Sequence, residues 1–263
     1  MGAPHHLFAP APVGLERVLA EELRACGAVR VRPGRAGVAF EGPLETAYRA
    51  CLWSRVASRV LLRVAEVPAP SPDALFEGAL AVPWEHHLSP QRTLAVDVVA
   101  SRSPIGHTGF ATLKVKDAIV DRLRARSGAR PDVDRVTPDV RVNVALRGEK
   151  AVLSVDLSGE RLHRRGYRAP GVQAAAPLKE NLAAGVLLLA DWPRIAAAEG
   201  ALVDPLCGSG TLVLEAALMA CDIAPGSLRD RWGLTGWLGH DAGVWARLLA
   251  EAAERREAGA ARP

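Results

Sequence analysis

Several things are scarce in this sequence, and each scarcity narrows its chemistry. There are four cysteines, Cys26, Cys51, Cys207 and Cys221, and no C-x-x-C pair. That spacing argues against a zinc site or a disulfide framework and for buried thiols in a reducing compartment. The seven histidines, at 5, 6, 86, 87, 107, 163 and 240, form no metal-ligand spacing, so no metal is assigned. The opening "MGAPHHLFAPAP" has no basic region followed by an apolar core; no secretory signal is read, and a cytoplasmic location is expected. The most apolar window, residues 201–221, has the length of a membrane span but carries Asp204, Glu215 and two loop glycines, which excludes one. Charge of one sign is not in large excess. With 33 basic and 29 acidic residues the formal net charge is +4, a balance that permits an anionic partner without demanding one.

What is present is a chain of 263 residues, 49% hydrophobic, enough for two or three modules with a real core. Residues 6 to 67 read as strand, helix, strand, strand, helix, strand. "HLFAPA" is extended; Leu15, Val18, Leu19 and Leu23 line one helical face that Gly27 ends. "AVRVRPGRAGVAFEG" alternates on both sides of a turn, Leu44, Ala47, Tyr48, Cys51 and Leu52 share a second helical face, and "SRVLLRVAEV" closes the set. This order is that of a ferredoxin-like split βαβ unit, assigned to residues 1–67.

After the turn-rich "PAPSPD", a second α/β module is read over 68–158: the helix "DALFEGALAVPW", the strand "TLAVDVVAS", the helix "FATLKVKDAIVDRLRARSG" and the hairpin "DVRVNVALRGEKAVLSVDLSG". Its long helix carries Lys114, Lys116, Arg122, Arg124 and Arg126, and the next strand presents Arg141. Taken alone, such a charge run reads as a solvated face. Residues 159–169 form a basic linker, "GERLHRRGYRA", in which Arg161, Arg164, Arg165 and Arg168 surround Tyr167. That cluster suits phosphate contacts with one aromatic ring for stacking, and equally a basic linker held against an acidic surface.

The stretch "LVDPLCGSGTLVLEAALMACD" reads as a buried strand, a glycine loop and a helix. A phosphate-binding loop needs a lysine after its last glycine, and here Gly210 is followed by Thr211. A dinucleotide site needs a third glycine where Val213 stands. The remaining ligand is S-adenosylmethionine, which packs its methionine and ribose against a bare backbone turn. Gly208 and Gly210 allow close approach, Asp204 faces the ligand's polar groups directly or through water, and the helix start offers N–H donors. An ordinary tight turn is the alternative.

The motifs "CLWSRVASRVLL", "KVKDAIVD", "VDRVTPDVRVNV", "DLSGERLHRRGYR", "APLKENLAA", "DPLCGSGTLVLEAA" and "RWGLTGWLGHD", in this order and spacing, resemble the bacterial large-subunit ribosomal RNA guanine-N2 methyltransferases that carry an amino-terminal THUMP domain. The resemblance covers almost the whole chain. It implies an α/β architecture of a ferredoxin-like module, a THUMP domain and the start of a Rossmann-like class I methyltransferase domain over 170–263. It implies S-adenosylmethionine as cofactor, held by Asp204, Pro205, Cys207, Gly208, Ser209, Gly210 and Thr211. It also implies 23S ribosomal RNA as partner rather than DNA or a membrane, with Lys114, Lys116, Arg141, Arg161, Arg164, Arg165, Tyr167 and Arg168 as contacts by region. Family members continue with an acidic residue for the cofactor ribose and an Asn-Pro-Pro-Tyr motif that holds the flipped guanine. Neither occurs in these residues. No catalytic residue is assigned, and the chain is expected to be a truncated product, inactive alone, or else a non-catalytic RNA-binding module or split subunit. Trp232 and Trp237 are read as core anchors rather than a base-stacking pair.

Overall fold

The computed structural model describes residues 4–167 and 178–260; Arg168 lies outside them. The chain divides into two compact units. The first comprises Met1–Val60, Glu160–Asp230 and Asp241–Pro263, and the second Leu61–Gly159 and Arg231–His240.

The first unit begins with β1 (His5–Pro10), α1 (Glu16–Ala25), β2 (Val29–Gly34), β3 (Gly37–Gly42) and α2 (Leu44–Trp53). Strand β3 lies between β2 and β1, antiparallel to both. Its Val38 and Phe40 are buried with Leu7 and Ala9 of β1 and with Leu19, Ala20 and Leu23 of α1, which is the face the 3.6-residue period marks out. The Glu16 carboxylate accepts from the backbone N–H groups of Gly14 and Ala36, at 2.8 and 3.0 Å, tying the start of α1 to the β2–β3 turn.

The second unit follows with β4 (Leu61–Pro68), α3 (Pro72–Ala81), a 3-10 turn at Trp84–His86, β5 (Leu94–Ser101), α4 (Thr108–Ser127), β6 (Val140–Arg147) and β7 (Lys150–Asp156). Its strands lie in the order β4-β7-β6-β5, with β5 and β6 parallel and the other pairs antiparallel. A parallel pair needs a long crossover, and α4 supplies it. Val140, Val142, Val144 and Leu146 alternate into the core, as do Ala111, Val115, Ala118, Ile119 and Leu123 of α4. Both helices are delimited by their ends. Ser71 caps α3 by accepting from Ala74 N, with Pro72 in the first turn; the His107 ring caps α4 by accepting from Phe110 N at 2.9 Å; and Gly128 ends α4 in the left-handed region.

The first unit resumes with α5 (Glu180–Leu189), α6 (Trp192–Ala197), α7 (Thr211–Ala220) and α8 (Ala242–Ala260). Ala184, Leu187, Trp192, Ala216 and Met219 form a buried cluster among α5, α6 and α7. Helix α8 is tied to α2: Tyr48 and Trp245 meet edge to face at 5.7 Å, the Tyr48 hydroxyl accepts from Asp241 N, and Arg49 pairs with Glu251 at 2.5 Å.

Two expectations change. Residues 201–204 form no strand; Val203 is 84% exposed. No strand among the described residues pairs with them, and an extended segment without a ladder leaves its N–H and C=O groups to water. Of the cysteines, Cys26 and Cys51 are buried, with burial pushing the Cys26 thiol up to about 12, whereas Cys207 is exposed and Cys221 half-buried.

Residues 231–240 pack within the second unit. Leu234 N donates to Leu157 O at 2.8 Å, and buried Trp237 donates through Nε1 to His87 Nδ1 at 3.0 Å. Gly233 sits so close that a Cβ there would lie 2.3 Å from Asp156 O and 2.6 Å from Gly159 N. Gly233→Ala should therefore destabilise the second unit by about 1–3 kcal/mol, the usual cost of overpacking. The midpoint of urea unfolding checks this, and an unchanged midpoint would mean that the segment does not dock as described.

Candidate cofactor loop and nucleic-acid interface

The loop preceding α7 is built by backbone geometry. Asp204 Oδ1 accepts from Leu206 N at 3.1 Å, folding the chain back, and Gly210 N donates to Cys207 O at 2.7 Å to close the turn. Gly208 and Gly210 adopt φ of +53° and +72°, the left-handed region that costs other residues about 1–2 kcal/mol. A Cβ at either would meet nothing within 4 Å, so both glycines keep an open face bare. Ser209 and Thr211 hydroxyls lie 3.3 Å apart. The amino end of α7 points its first-turn donors along the helix axis. These features fit one wall of a site for S-adenosylmethionine: a carboxylate at one end, bare backbone in the middle and a helix start at the other. Pro205 and Cys207 sit on the exposed outer turn.

Helix α7 is held from behind by buried charge. Glu215, 0% exposed, faces Arg165, 1% exposed, with Nε to Oε1 at 3.4 Å and Nη2 to Oε2 at 3.5 Å. Arg165 also donates to Leu162 O at 2.8 Å and Arg55 O at 2.5 Å, and the Tyr167 hydroxyl donates to Glu215 Oε1 at 3.0 Å. Burial, with the Glu215 carboxylate next in effect, pushes the Tyr167 phenol well above its usual range. Arg55 reaches the far end of α7, donating to Leu218 O and Ile223 O at 3.3 and 2.9 Å. Burial lowers its guanidinium to about 10, still a cation at neutral pH.

This placement removes Arg165 from the expected RNA cluster. Its side chain is turned into the protein, where it donates to the Glu215 carboxylate and to the Leu162 and Arg55 carbonyls. Tyr167 is half-buried, its hydroxyl committed to Glu215. Arg161 and Arg164 remain exposed. Beside them His163 is pushed down to about 4, first by burial and then by the charges of Arg161 and Lys179, which leaves its ring neutral at pH 7. The α4 cations all have carboxylate partners: Lys114 pairs with Asp73 at 2.7 Å, Lys116 with Asp117 at 2.6 Å, Arg124 with Asp121 at 3.9 Å, and Arg122 grips Glu85 with two hydrogen bonds of 3.0 and 2.6 Å. Arg126 also approaches Glu85, at 3.4 Å, and Arg141 bonds Asp97 at 3.0 Å. Sequence reading passed over Arg55 and Glu215 as site-forming residues. The available signal was Glu215 itself, the one charge in "TLVLEAALMA", since a lone carboxylate in an apolar helix needs a buried partner.

The sequence matches the RlmL ferredoxin-like domain over residues 6–61, the THUMP domain over 69–156 and the RMKL-like methyltransferase domain over 165–261. It is 58% identical over 259 residues to the ribosomal RNA large subunit methyltransferase K/L of Syntrophotalea carbinolica, covering 98% of this chain and 36% of that relative. The three matches follow one another along almost the whole chain, which is similar to this relative over the part that it spans. Its fold is accordingly a mixed α/β assembly of ferredoxin-like, THUMP and methyltransferase domains, of which it spans about a third of the relatives' length. Among solved structures, SMU.472, named as a methyltransferase and complexed with SAH, has a TM-score of 0.83 at 32% identity, covering 97% of this chain and 66% of that one. A protein described as a predicted N6-adenine-specific DNA methylase from Listeria monocytogenes str. 4b F2365 has a TM-score of 0.83 at 34% identity, covering 96% and 64%. The methyltransferase match begins at residue 165, the arginine that grips α7.

Arg165→Ala should destabilise the first unit by about 3–5 kcal/mol, since it leaves the Glu215 carboxylate buried and unpaired. Arg164→Ala should stay within about 0.5 kcal/mol, as surface substitutions do. Urea unfolding of the two variants checks the contrast; equal effects would refute the buried pair.

Glu85 supplies a pH test in the second unit. Its carboxyl is held from an ordinary 4.5 down to about 2, chiefly by the Arg122 hydrogen bond. A depressed carboxyl contributes stability above its unfolded value and loses it as pH falls through the folded one. The stability difference between wild type and Glu85→Gln should therefore be largest near neutrality and vanish as pH falls through about 4.5 towards 2. Denaturant midpoints measured across that window check it, and a gap constant with pH would contradict the pairing.

Proposed function

We propose that this chain carries the RNA-gripping modules and the first cofactor segment of an S-adenosylmethionine-dependent methyltransferase acting on guanine N2 of 23S ribosomal RNA in the cytoplasm. The observation that carries the reading is the open loop from Asp204 to Thr211, with two left-handed glycines at the head of an α7 anchored from behind. The family match and a neighbouring structure complexed with SAH support the cofactor, and the THUMP match with the relatives' naming supports ribosomal RNA. We assign residues 1–67, 68–158, 159–169 and 170–263 to the ferredoxin-like module, THUMP domain, basic linker and methyltransferase segment.

When bound, S-adenosylmethionine supplies an electrophilic methyl group on a sulfonium. The residues of this chain contribute position. Asp204, Pro205, Cys207, Gly208, Ser209, Gly210 and Thr211 would hold the ligand's polar groups against bare backbone, with the Asp204 carboxylate at the loop's amino-terminal end. Guanine N2 is a weak nucleophile because its lone pair is delocalised into the ring, so transfer depends on alignment and on acceptors for its N–H bonds. No residue of this chain is assigned as such an acceptor, and transfer by the chain alone is not expected. The target base must be single-stranded or flipped, which gives the RNA-gripping modules their role. Arg161 and Arg164 are the strongest candidates for phosphate contact, being exposed. Lys114, Lys116 and Arg141 would contact RNA only by giving up their carboxylates.

Three measurements test the reading. Replacing Arg161 and Arg164 by alanine should reduce the salt slope of binding to a large-subunit RNA fragment by about 1–2, one phosphate contact contributing about 0.7–0.9. An unchanged slope would remove both from the interface. Gly210→Ala should weaken S-adenosylhomocysteine binding at least about tenfold while costing about 1–2 kcal/mol of stability, because the methyl group enters the open face. Unaltered affinity by calorimetry would remove the loop from the cofactor site. Labelled S-adenosylmethionine offered with large-subunit RNA, and separately with adenine-containing DNA, checks substrate class: label entering either acid with this chain alone would overturn the view that it lacks the acceptors.

A further inference from the structure

We infer that Glu215 is a positioning residue for the cofactor loop, acting through α7, and that the Arg165–Glu215–Tyr167 network makes the conformation of residues 204–213 depend on the segment 162–167. The inference rests on the cofactor reading of that loop.

Glu215 lies one helical turn into α7, counted from Thr211. Its carboxylate is fully buried and accepts from the Arg165 fork and from the Tyr167 hydroxyl at 3.0 Å, while the Leu162 and Arg55 carbonyls fix the fork. Two further directional contacts hold α7. Trp192 donates through Nε1 to Ala216 O at 2.9 Å, and Arg55 caps Leu218 O and Ile223 O. The axial rotation and translation of α7 are therefore fixed by hydrogen bonds at Glu215, Ala216 and its carboxyl end. An apolar surface would leave that rotation loose.

The loop has no comparable support of its own. Residues 205–209 are exposed, and within the loop the backbone is closed by the Gly210–Cys207 bond and the Asp204–Leu206 contact. Leu214 N bonds Gly210 O at 2.9 Å, which makes the loop's last residue the first acceptor of the helix. Wherever α7 turns, Gly210 turns with it. A buried carboxylate–guanidinium pair in this position is a poor source of net stability, since desolvation offsets most of its attraction. Its use lies in direction: a forked guanidinium donates to a carboxylate in one plane.

The test uses the 263-residue chain and two readouts. Amide hydrogen exchange is measured in wild type, in Glu215→Gln, in Tyr167→Phe, and in a double variant, Arg165→Met with Glu215→Met, that replaces the pair by apolar groups of similar volume and keeps the core filled. Exchange at Gly210 and Leu214, whose N–H groups are hydrogen-bonded, should rise about tenfold or more in the Gln and double variants and less in Tyr167→Phe, the scale set by one charge-assisted hydrogen bond. Exchange in α5 and in β6 should not change. Unchanged loop exchange in the folded double variant overturns the inference, and so does a uniform rise across α5 and α7, which would mark a merely structural pair. Should Glu215→Gln fail to fold, Tyr167→Phe and the double variant decide. The second readout is S-adenosylhomocysteine titration. Affinity falling in parallel with loop exchange supports positioning, and equal affinity in wild type and the double variant overturns it. Absence of binding by wild type counts against the cofactor reading, while the exchange data still decide whether Glu215 sets the loop.

Discussion

The first unit depends on a carboxylate and a guanidinium buried together. Glu215 and Arg165 are separated by 50 positions in sequence and are both withdrawn from solvent. Each would cost several kcal/mol to bury alone, so neither stays where it is unless the other does. Arg165 spends its other donors on the carbonyls of Leu162 and Arg55. Arg55 in turn donates its backbone N–H to Glu22 of α1 at 2.9 Å and its side chain to the end of α7. One connected set of hydrogen bonds thus joins α1, the segment after α2, the basic segment and α7. Networks of this kind lose little when every member is satisfied and a great deal when one is removed. That asymmetry makes the path of residues 160–167 a consequence of α7, and the pose of α7 a consequence of residues 160–167.

Much of this architecture is legible in the sequence, for a reason that also explains what is not. Helix α4 and strand β6 read correctly because their core-facing residues recur at fixed periods over 20 and eight residues, respectively. The glycine loop reads as a loop because left-handed backbone leaves few alternatives to glycine. Partner choice leaves no such trace. Lys114 meets Asp73, 41 positions away, and Arg122 meets Glu85, 37 positions away; nothing in a local window separates these from cations facing solvent. Arg164 and Arg165 are neighbours with the same side chain, yet one is exposed and the other buried. The expected strand at 201–204 shows the same limit, since an apolar run signals extended backbone only where a second strand is there to pair with it.

The pairing pattern alters what the charge of the chain means. A net charge of +4 spread over a surface where most α4 cations already sit against carboxylates produces a weak, short-ranged field at physiological salt. An anionic polymer competing for Lys114 or Arg141 would have to displace Asp73 or Asp97, trading one ion pair for another. Among the described residues no carboxylate pairs with Arg161 or Arg164. His163 between them is neutral at pH 7, and an approaching phosphate would favour its protonated form, since a nearby anion raises a histidine.

The loop itself sets a further constraint on chemistry. Small-ligand sites enclose about 70–90% of the ligand surface, whereas Val203 and Leu206, on either side of Asp204, are 84% and 91% exposed. Backbone donors that face water have already been satisfied by it, so their net contribution to holding a ligand is small. The same donors become strong once the site is dry, because the effective dielectric falls. This loop therefore supplies orientation before it supplies affinity. Its geometry has to be correct in the open state, with no ligand contact to correct it, and that is the requirement a directional buried network behind α7 meets and a purely apolar contact would not.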